Sequence, residues 1–259
     1  MKIRDIMVKD VITVDKDDNL KHVINLMRKY NITKIPVLEK KKLIGIATDN
    51  MIAYKLGSWR KRSISTSRLH ASSVMEKDIE IMHPDAPLEL VLQKVGKPGP
   101  TMIPLVEKED LVGVITKADL LPLVNNQDEI TSILQTNILT VSPEDRVIHA
   151  RHIMIENDIA RLPVVDKGKL LGVISDFEIA LAFAHIKKSF SLGRQKHKLD
   201  ELLVKDTMKT PAIWTTPSTK ITDAARIMMK MNVGFLPVLK DETLVGVVSR
   251  TDLLRTIKL

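Results

Sequence analysis

Four times along the 259 residues, an apolar-proline-apolar triplet is followed, nine residues after the proline, by a glycine in apolar surroundings. The copies read Ile35-Pro36-Val37 with Ile44-Gly45-Ile46, Ile103-Pro104-Leu105 with Val112-Gly113-Val114, Leu162-Pro163-Val164 with Leu171-Gly172-Val173, and Leu236-Pro237-Val238 with Val245-Gly246-Val247. A hydroxyl ends each signature: Thr48, Thr116, Ser175 and Ser249. A spacing kept four times marks an internal repeat, so the chain must fold as copies of one small unit. Successive glycines lie 68, 59 and 74 residues apart, and the unequal intervals group the copies in two pairs.

Within a copy the local signals give β-α-β-β-α. Ile138-Leu139-Thr140-Val141 has the β-branched character of a short strand. A helix start follows, with proline near the first turn in His83-Pro84, Ser142-Pro143 and Thr216-Pro217. Leu20, Val23, Ile24 and Met27, like Ile221, Ala224, Ala225 and Met228, keep the 3.6-residue period of a helix buried on one face. Two apolar strands joined by a charged turn come next, as at Glu39-Lys40-Lys41-Lys42, and a second helix such as Asp176 to Ala184 closes the unit. A unit of roughly 55 residues buries too little surface to be robust alone, whereas two packed together form a sensible domain. The fold class is therefore α+β. The first pair is expected over 1–124 (copies about 1–57 and 68–124) and the second over 127–259 (copies about 129–186 and 200–259). Each pair is expected to fold as a unit, divided near Asn125-Asn126-Gln127.

With few aromatics, the core must be built from Ile, Val, Leu, Met and Ala. The twelve methionines, Met228, Met229 and Met231 among them, read as core filling. The absence of cysteine excludes disulfides, thiolate metal sites and cysteine nucleophiles. His149 and His152 lack metal-ligand company, and no metal is expected. The start, Met1-Lys2-Ile3-Arg4-Asp5, is charged and not a signal peptide, and no run suits a membrane span; a cytoplasmic protein is expected. The net charge of +8 belongs to two segments without acids. Segment 57–70 carries Arg60, Lys61, Arg62 and Arg68, and segment 185–198 carries Lys187, Lys188, Arg194, Lys196 and Lys198.

The apolar-Pro-Val strand, the apolar-Gly-apolar-apolar-hydroxyl-x-x-Asp turn and the pairing resemble CBS domains, over about 220 residues. The resemblance implies two pseudo-twofold CBS pairs (Bateman modules), similar to stand-alone multi-CBS proteins and to the γ regulatory subunit of AMP-activated kinase. It further implies clefts that bind AMP, ADP, ATP or S-adenosylmethionine. The ribose-binding element it implies is the hydroxyl with the acid three residues later. Thr116 with Asp119 and Ser249 with Asp252 match it in full; Ser175 is followed by Glu178, one methylene longer, and Thr48 by Met51, which cannot accept a diol. A carboxylate at a helix N-terminus suits a diol because it can accept both hydroxyl hydrogens while the helix dipole keeps it ionised. The expected order of the clefts is fourth, second, third, first. The position before the apolar-Pro strand, where the resemblance implies phosphate contact, holds Lys34, Thr101, Arg161 and Phe235, and Arg250 beside Ser249 is a further candidate cation. The guanidinium fork of Arg161 suits phosphate oxygens best.

Plainer readings stand beside these. A hydroxyl-x-x-acid turn is also an ordinary helix capping box, and Lys34 and Arg161 read equally as surface cations. The two basic segments read as solvated linkers or as a shared basic surface, with Trp59 and Phe190 available for stacking. The second reading makes an acidic protein, RNA, DNA or the ribosome an alternative partner; a homodimer is also compatible. There is no Gly-x-Gly-x-x-Gly, phosphate-loop lysine, His-Glu-x-x-His or Gly-x-Ser-x-Gly motif, and the repeats leave no room for a catalytic domain; an enzyme is not expected.

Overall fold

The computed structural model describes residues 2–57, 68–95 and 102–258. Each copy is built on a hairpin. The four are β2 (Lys34–Glu39) with β3 (Lys42–Thr48), β5 (Met102–Glu107) with β6 (Asp110–Thr116), β7 (Arg161–Asp166) with β8 (Lys169–Ser175), and β9 (Phe235–Lys240) with β10 (Thr243–Ser249). Two residues with positive φ form every turn, among them Lys40 and Lys41 in the first and Lys167 and Gly168 in the third. That geometry matches the right-handed twist of the strands it joins.

The signature residues have structural causes. In the second to fourth copies the proline carbonyl receives the amide of the entry segment: Met82 donates to Pro104 at 3.0 Å, Val141 to Pro163 at 3.1 Å and Thr215 to Pro237 at 3.0 Å. The expected first strand is a ladder only in the first copy, as β1 (Val14–Asp15) beside β2; in the other three it shrinks to single parallel bridges. Each signature glycine lies where the lead-in of the partner copy crosses the hairpin. A Cβ on Gly45 would stand 2.5 Å from the Glu76 carbonyl oxygen, and one on Gly172 2.6 Å from that of Lys209. On Gly113 it would meet Met7 Sδ at 2.8 Å, and on Gly246 Leu134 Cδ1 at 2.4 Å. The crossing is reciprocal within each pair. β4 (Met75–Glu76), which leads into the second copy, pairs with β3, while Val8, which leads into the first, bridges Val114. Lys209 on Val173 and Gln135 on Val247 repeat the exchange in the other pair.

The helices are α1 (Leu20–Tyr30) and α2 (Asp49–Gly57), α3 (Leu88–Val95) and α4 (Lys117–Leu120), α5 (Val147–Glu156) and α6 (Asp176–Ser189), then α7 (Leu192–Glu201), α8 (Ile221–Lys230) and α9 (Arg250–Leu254). α6 runs past Ala184, and the basic segment 185–198 is helical rather than a coil. Gln195 ties its two helices together, its buried amide donating to the carbonyls of Lys187 at 3.1 Å and Phe190 at 2.8 Å. The stretch about Asn125-Asn126-Gln127 is fastened to the start of α8, where the Thr222 amide and hydroxyl both donate to the Asn126 carbonyl.

The apolar side chains form two cores, and each draws on both pairs. One joins the first and third copies through Val23, Met27, Ile52, Leu56, Ile179 and Phe183. The other joins the second and fourth through Val91, Ile115, Leu120, Ile221, Met228 and Leu253. α2 packs on α6, and Phe183 sits so close that a Cβ on Gly57 would touch its ring at 2.8 Å. Phe183 is fully buried. Phe183→Ala should therefore destabilise the chain by about 3–5 kcal/mol. Urea denaturation followed by circular dichroism should show one transition shifted as a whole; a shift confined to part of the signal would mean that the first and third copies do not share a core.

Candidate functional site

At the start of α9, Asp252 Oδ2 accepts from the Ser249 amide at 2.8 Å and from its hydroxyl at 2.6 Å. At the start of α4, Asp119 Oδ2 accepts from the Thr116 amide and hydroxyl, each at 2.8 Å. Both turns are thus capping boxes, and in each the cap leaves Oδ1 aside. Asp252 Oδ1 accepts from the side-chain amide of Gln135 at 2.7 Å. In the third copy the Ser175 hydroxyl donates to Glu178, and in the first Thr48 accepts from the Met51 amide at 3.2 Å.

The hairpin register sets the cations beside these turns. Lys34 is the cross-strand partner of Thr48, and Arg161 that of Ser175. The residue after the hydroxyl supplies the rest: Asp49, Lys117, Asp176 and Arg250. Burial lowers Lys34, with Asp49 opposing and Arg161 and Arg250 adding to the shift. Burial brings Lys117 down to about 8, with Lys34, Arg255 and Arg161 pushing the same way against Asp252. Arg250 falls to about 10 through burial and then Arg161, with Asp119 opposing. Lys34, Lys117, Arg161 and Arg250, one from each copy, therefore share one electrostatic neighbourhood. The Lys117 ammonium also donates to the Thr251 hydroxyl at 2.7 Å, linking α4 to α9. Arg161 lies over Gly234, and a Cβ there would be 3.4 Å from its Nη1.

Two acids accompany the cations. Asp176 is pushed up to about 7, by burial and then by Asp49, with Arg151, Arg161 and Lys34 opposing. Asp49 is raised by burial against the pull of Lys34 and Arg161. Lys117, Asp49 and Asp176 escaped the sequence reading. The signal was present, since the residue after the hydroxyl is charged in all four copies, but only alignment of the copies on that column exposes it.

Thr101 and the cluster Trp59-Arg60-Lys61-Arg62 lie outside the described residues. Phe235 is half-buried at the start of β9. In the second basic segment Lys188, Arg194, Lys196 and Lys198 are exposed, Lys187 is buried, and Phe190 packs against the core rather than standing out for stacking. Among the described residues, His83, Asp85 and Glu107 gather their ligand atoms closely, and Arg4 already occupies the carboxylates at 3.1 Å from Asp85 and 3.0 Å from Glu107. His152 pairs with Glu156 at 3.0 Å on the exposed face of α5. No helix among the described residues is long and apolar enough to cross a membrane.

A CBS domain family model matches residues 3–58, 71–126, 130–185 and 204–259. The chain is 26% identical over 265 residues to the uncharacterized protein MJ1404 of Methanocaldococcus jannaschii, covering 98% of this chain and 61% of that one. It thus spans under two thirds of that relative's length. Against MJ1225 of the same organism it is 22% identical over 271 residues, covering 95% of both. The crystal structure of MJ1225, described as a proposed archaeal homologue of g-AMPK, superposes with a TM-score of 0.86 at 19% identity over the whole of both chains. An uncharacterized conserved protein from Pyrococcus horikoshii does so at 0.61 with 18% identity, again over the whole of both chains. At these identities the structural likeness is one of fold.

The Asp176 shift has a direct consequence for stability. Its folded value of about 7 exceeds the ordinary 3.8, so the folded chain holds this proton more tightly than the unfolded one. The contribution to stability is present in full below about pH 4 and is lost as pH rises through about 7. Asp176→Asn should gain stability relative to the native chain across that window, read by urea denaturation at a series of pH values. A difference that stays constant with pH would contradict a buried, proton-holding Asp176.

Proposed function

The chain belongs to the CBS domain family, with four copies of the domain, and on that premise we propose that it is a non-catalytic sensor of adenine nucleotides acting on a macromolecular partner. The observation that carries this reading is the convergence of one cation from each copy beside two cap-held carboxylates. Burial, with neighbouring cations adding to it, brings Lys117 to about 8 and Arg250 to about 10, a cost that nearby negative charge would relieve. A phosphate group supplies that charge, and the planar fork of Arg161 can meet two of its oxygens. Asp119 and Asp252 take the ribose hydroxyls, while Met51 offers no acceptor and Glu178 is drawn onto Ser175. The charge favours AMP, ADP or ATP over S-adenosylmethionine, which brings a sulfonium and no phosphate.

A basic face formed by the end of α6 and by α7 supports a second element of the reading. Lys188, Arg194, Lys196 and Lys198 are exposed on consecutive helices, which suits an acidic protein surface or a nucleic-acid backbone. Filter binding with RNA and DNA at two salt concentrations separates these, because a nucleic-acid partner requires a steep loss of affinity with salt.

Titration calorimetry tests the cleft reading. Asp119→Ala and Asp252→Ala should each weaken one nucleotide-binding step by roughly ten- to over a hundredfold, about 1.5–3 kcal/mol. The fold should survive, since loss of a cap costs only about 0.5–2 kcal/mol. Arg161→Ala should weaken ATP binding far more than adenosine binding. Equal loss for both ligands would remove Arg161 from the phosphate, and unchanged affinity in both aspartate variants would reduce the two turns to helix caps.

A further inference from the structure

The two clefts with a complete hydroxyl-x-x-Asp turn differ in what the partner copy's lead-in brings to them. In every cleft that lead-in crosses the hairpin at the residue after the signature glycine, putting Glu76 on Ile46, Val8 on Val114, Lys209 on Val173 and Gln135 on Val247. By register these four residues hold equivalent places on their hairpins. In the fourth cleft the reach is direct, because Gln135 Nε2 donates to Asp252 Oδ1 at 2.7 Å. In the second cleft the equivalent residue is Val8, whose side chain has no donor to offer. Among the described residues, the donors reaching Asp119 are the amide and hydroxyl of Thr116, both on Oδ2.

A carboxylate oxygen accepts about two hydrogen bonds. Both aspartates fill Oδ2 with their own cap. Among the described residues nothing engages Asp119 Oδ1, which leaves both of its acceptor directions for a cis-diol that donates two hydrogens. Asp252 keeps one, and the second hydroxyl must either displace the Gln135 amide or turn to the Gln135 carbonyl. Gln135 is exposed whereas Asp252 is buried, so the movable member of the contact is the glutamine.

We infer that Gln135 grades the two clefts. It holds Asp252 in a contact that a nucleotide must open, so the second cleft fills first and the fourth responds at higher concentration. This rests on the reading of Asp119 and Asp252 as ribose acceptors. It reverses the order of those clefts given by motif matching alone, and it gives one chain two response thresholds.

Calorimetric titration of the full chain with AMP, and with 2′-deoxy-AMP, tests it through exchange of the two lead-in residues. Gln135→Val copies the second cleft and should tighten the weaker step by roughly tenfold, the scale of a hydrogen bond to a charged group. The tighter step should stay unchanged, and the penalty for removing the 2′-hydroxyl should grow at the altered step. Val8→Gln should weaken the tighter step by a similar factor. Both positions are exposed, so folding is retained, and thermal unfolding checks it. Binding by the native chain with neither step moved by either exchange overturns the role of Gln135 and leaves the nucleotide reading intact. No binding of AMP by the native chain overturns both.

Discussion

The structure depends on one backbone contact made four times, the crossing of a lead-in segment over the hairpin of its partner copy. At Gly45, Gly113, Gly172 and Gly246 a single added carbon would overlap the crossing chain, at separations between 2.4 and 2.8 Å. At Gly45 and Gly172 the obstacle is a backbone carbonyl, which cannot move aside, whereas at Gly113 and Gly246 the nearest atoms belong to the side chains of Met7 and Leu134. The exchange is reciprocal, so neither member of a pair completes its own sheet. It also fixes where Val8, Glu76, Gln135 and Lys209 stand, and hence the composition of each cleft.

A second level of organisation is set by burial. The paired copies are joined through sheets, yet the apolar helix faces pack first copy against third and second against fourth. That cross-packing brings the starts of α2, α4, α6 and α9 toward one another with the residue after each hydroxyl. Cations so gathered repel, and burial removes the water that would screen them. Asp49 and Asp176 offset part of the repulsion; a bound phosphate would offset more.

Much of this was legible in the sequence. The nine-residue interval from proline to glycine and the hydroxyl after it revealed four copies, the unequal spacing of the glycines grouped them in pairs, and the acid three residues after the hydroxyl marked two complete capping turns. The cross-packed cores were not legible, because helical periodicity says which face is apolar and not which helix covers it. The charged column of Asp49, Lys117, Asp176 and Arg250 was visible but looked like the first turn of an ordinary surface helix. Gln135 gave no local signal at all, since its importance comes from a partner 117 residues away. Helix α6 outran its expected end because Ile186 and the buried stem of Lys187 continue its inner face beyond Ala184.

The central claim is that phosphate meets the four-copy cation cluster while ribose meets the cap-held carboxylates. A crystal structure of the chain with AMP tests it most directly. The account predicts the diol on Asp119 Oδ1 and the phosphate turned toward Lys34, Lys117, Arg161 and Arg250. A nucleotide bound with its phosphate in solvent and these four side chains untouched would contradict it.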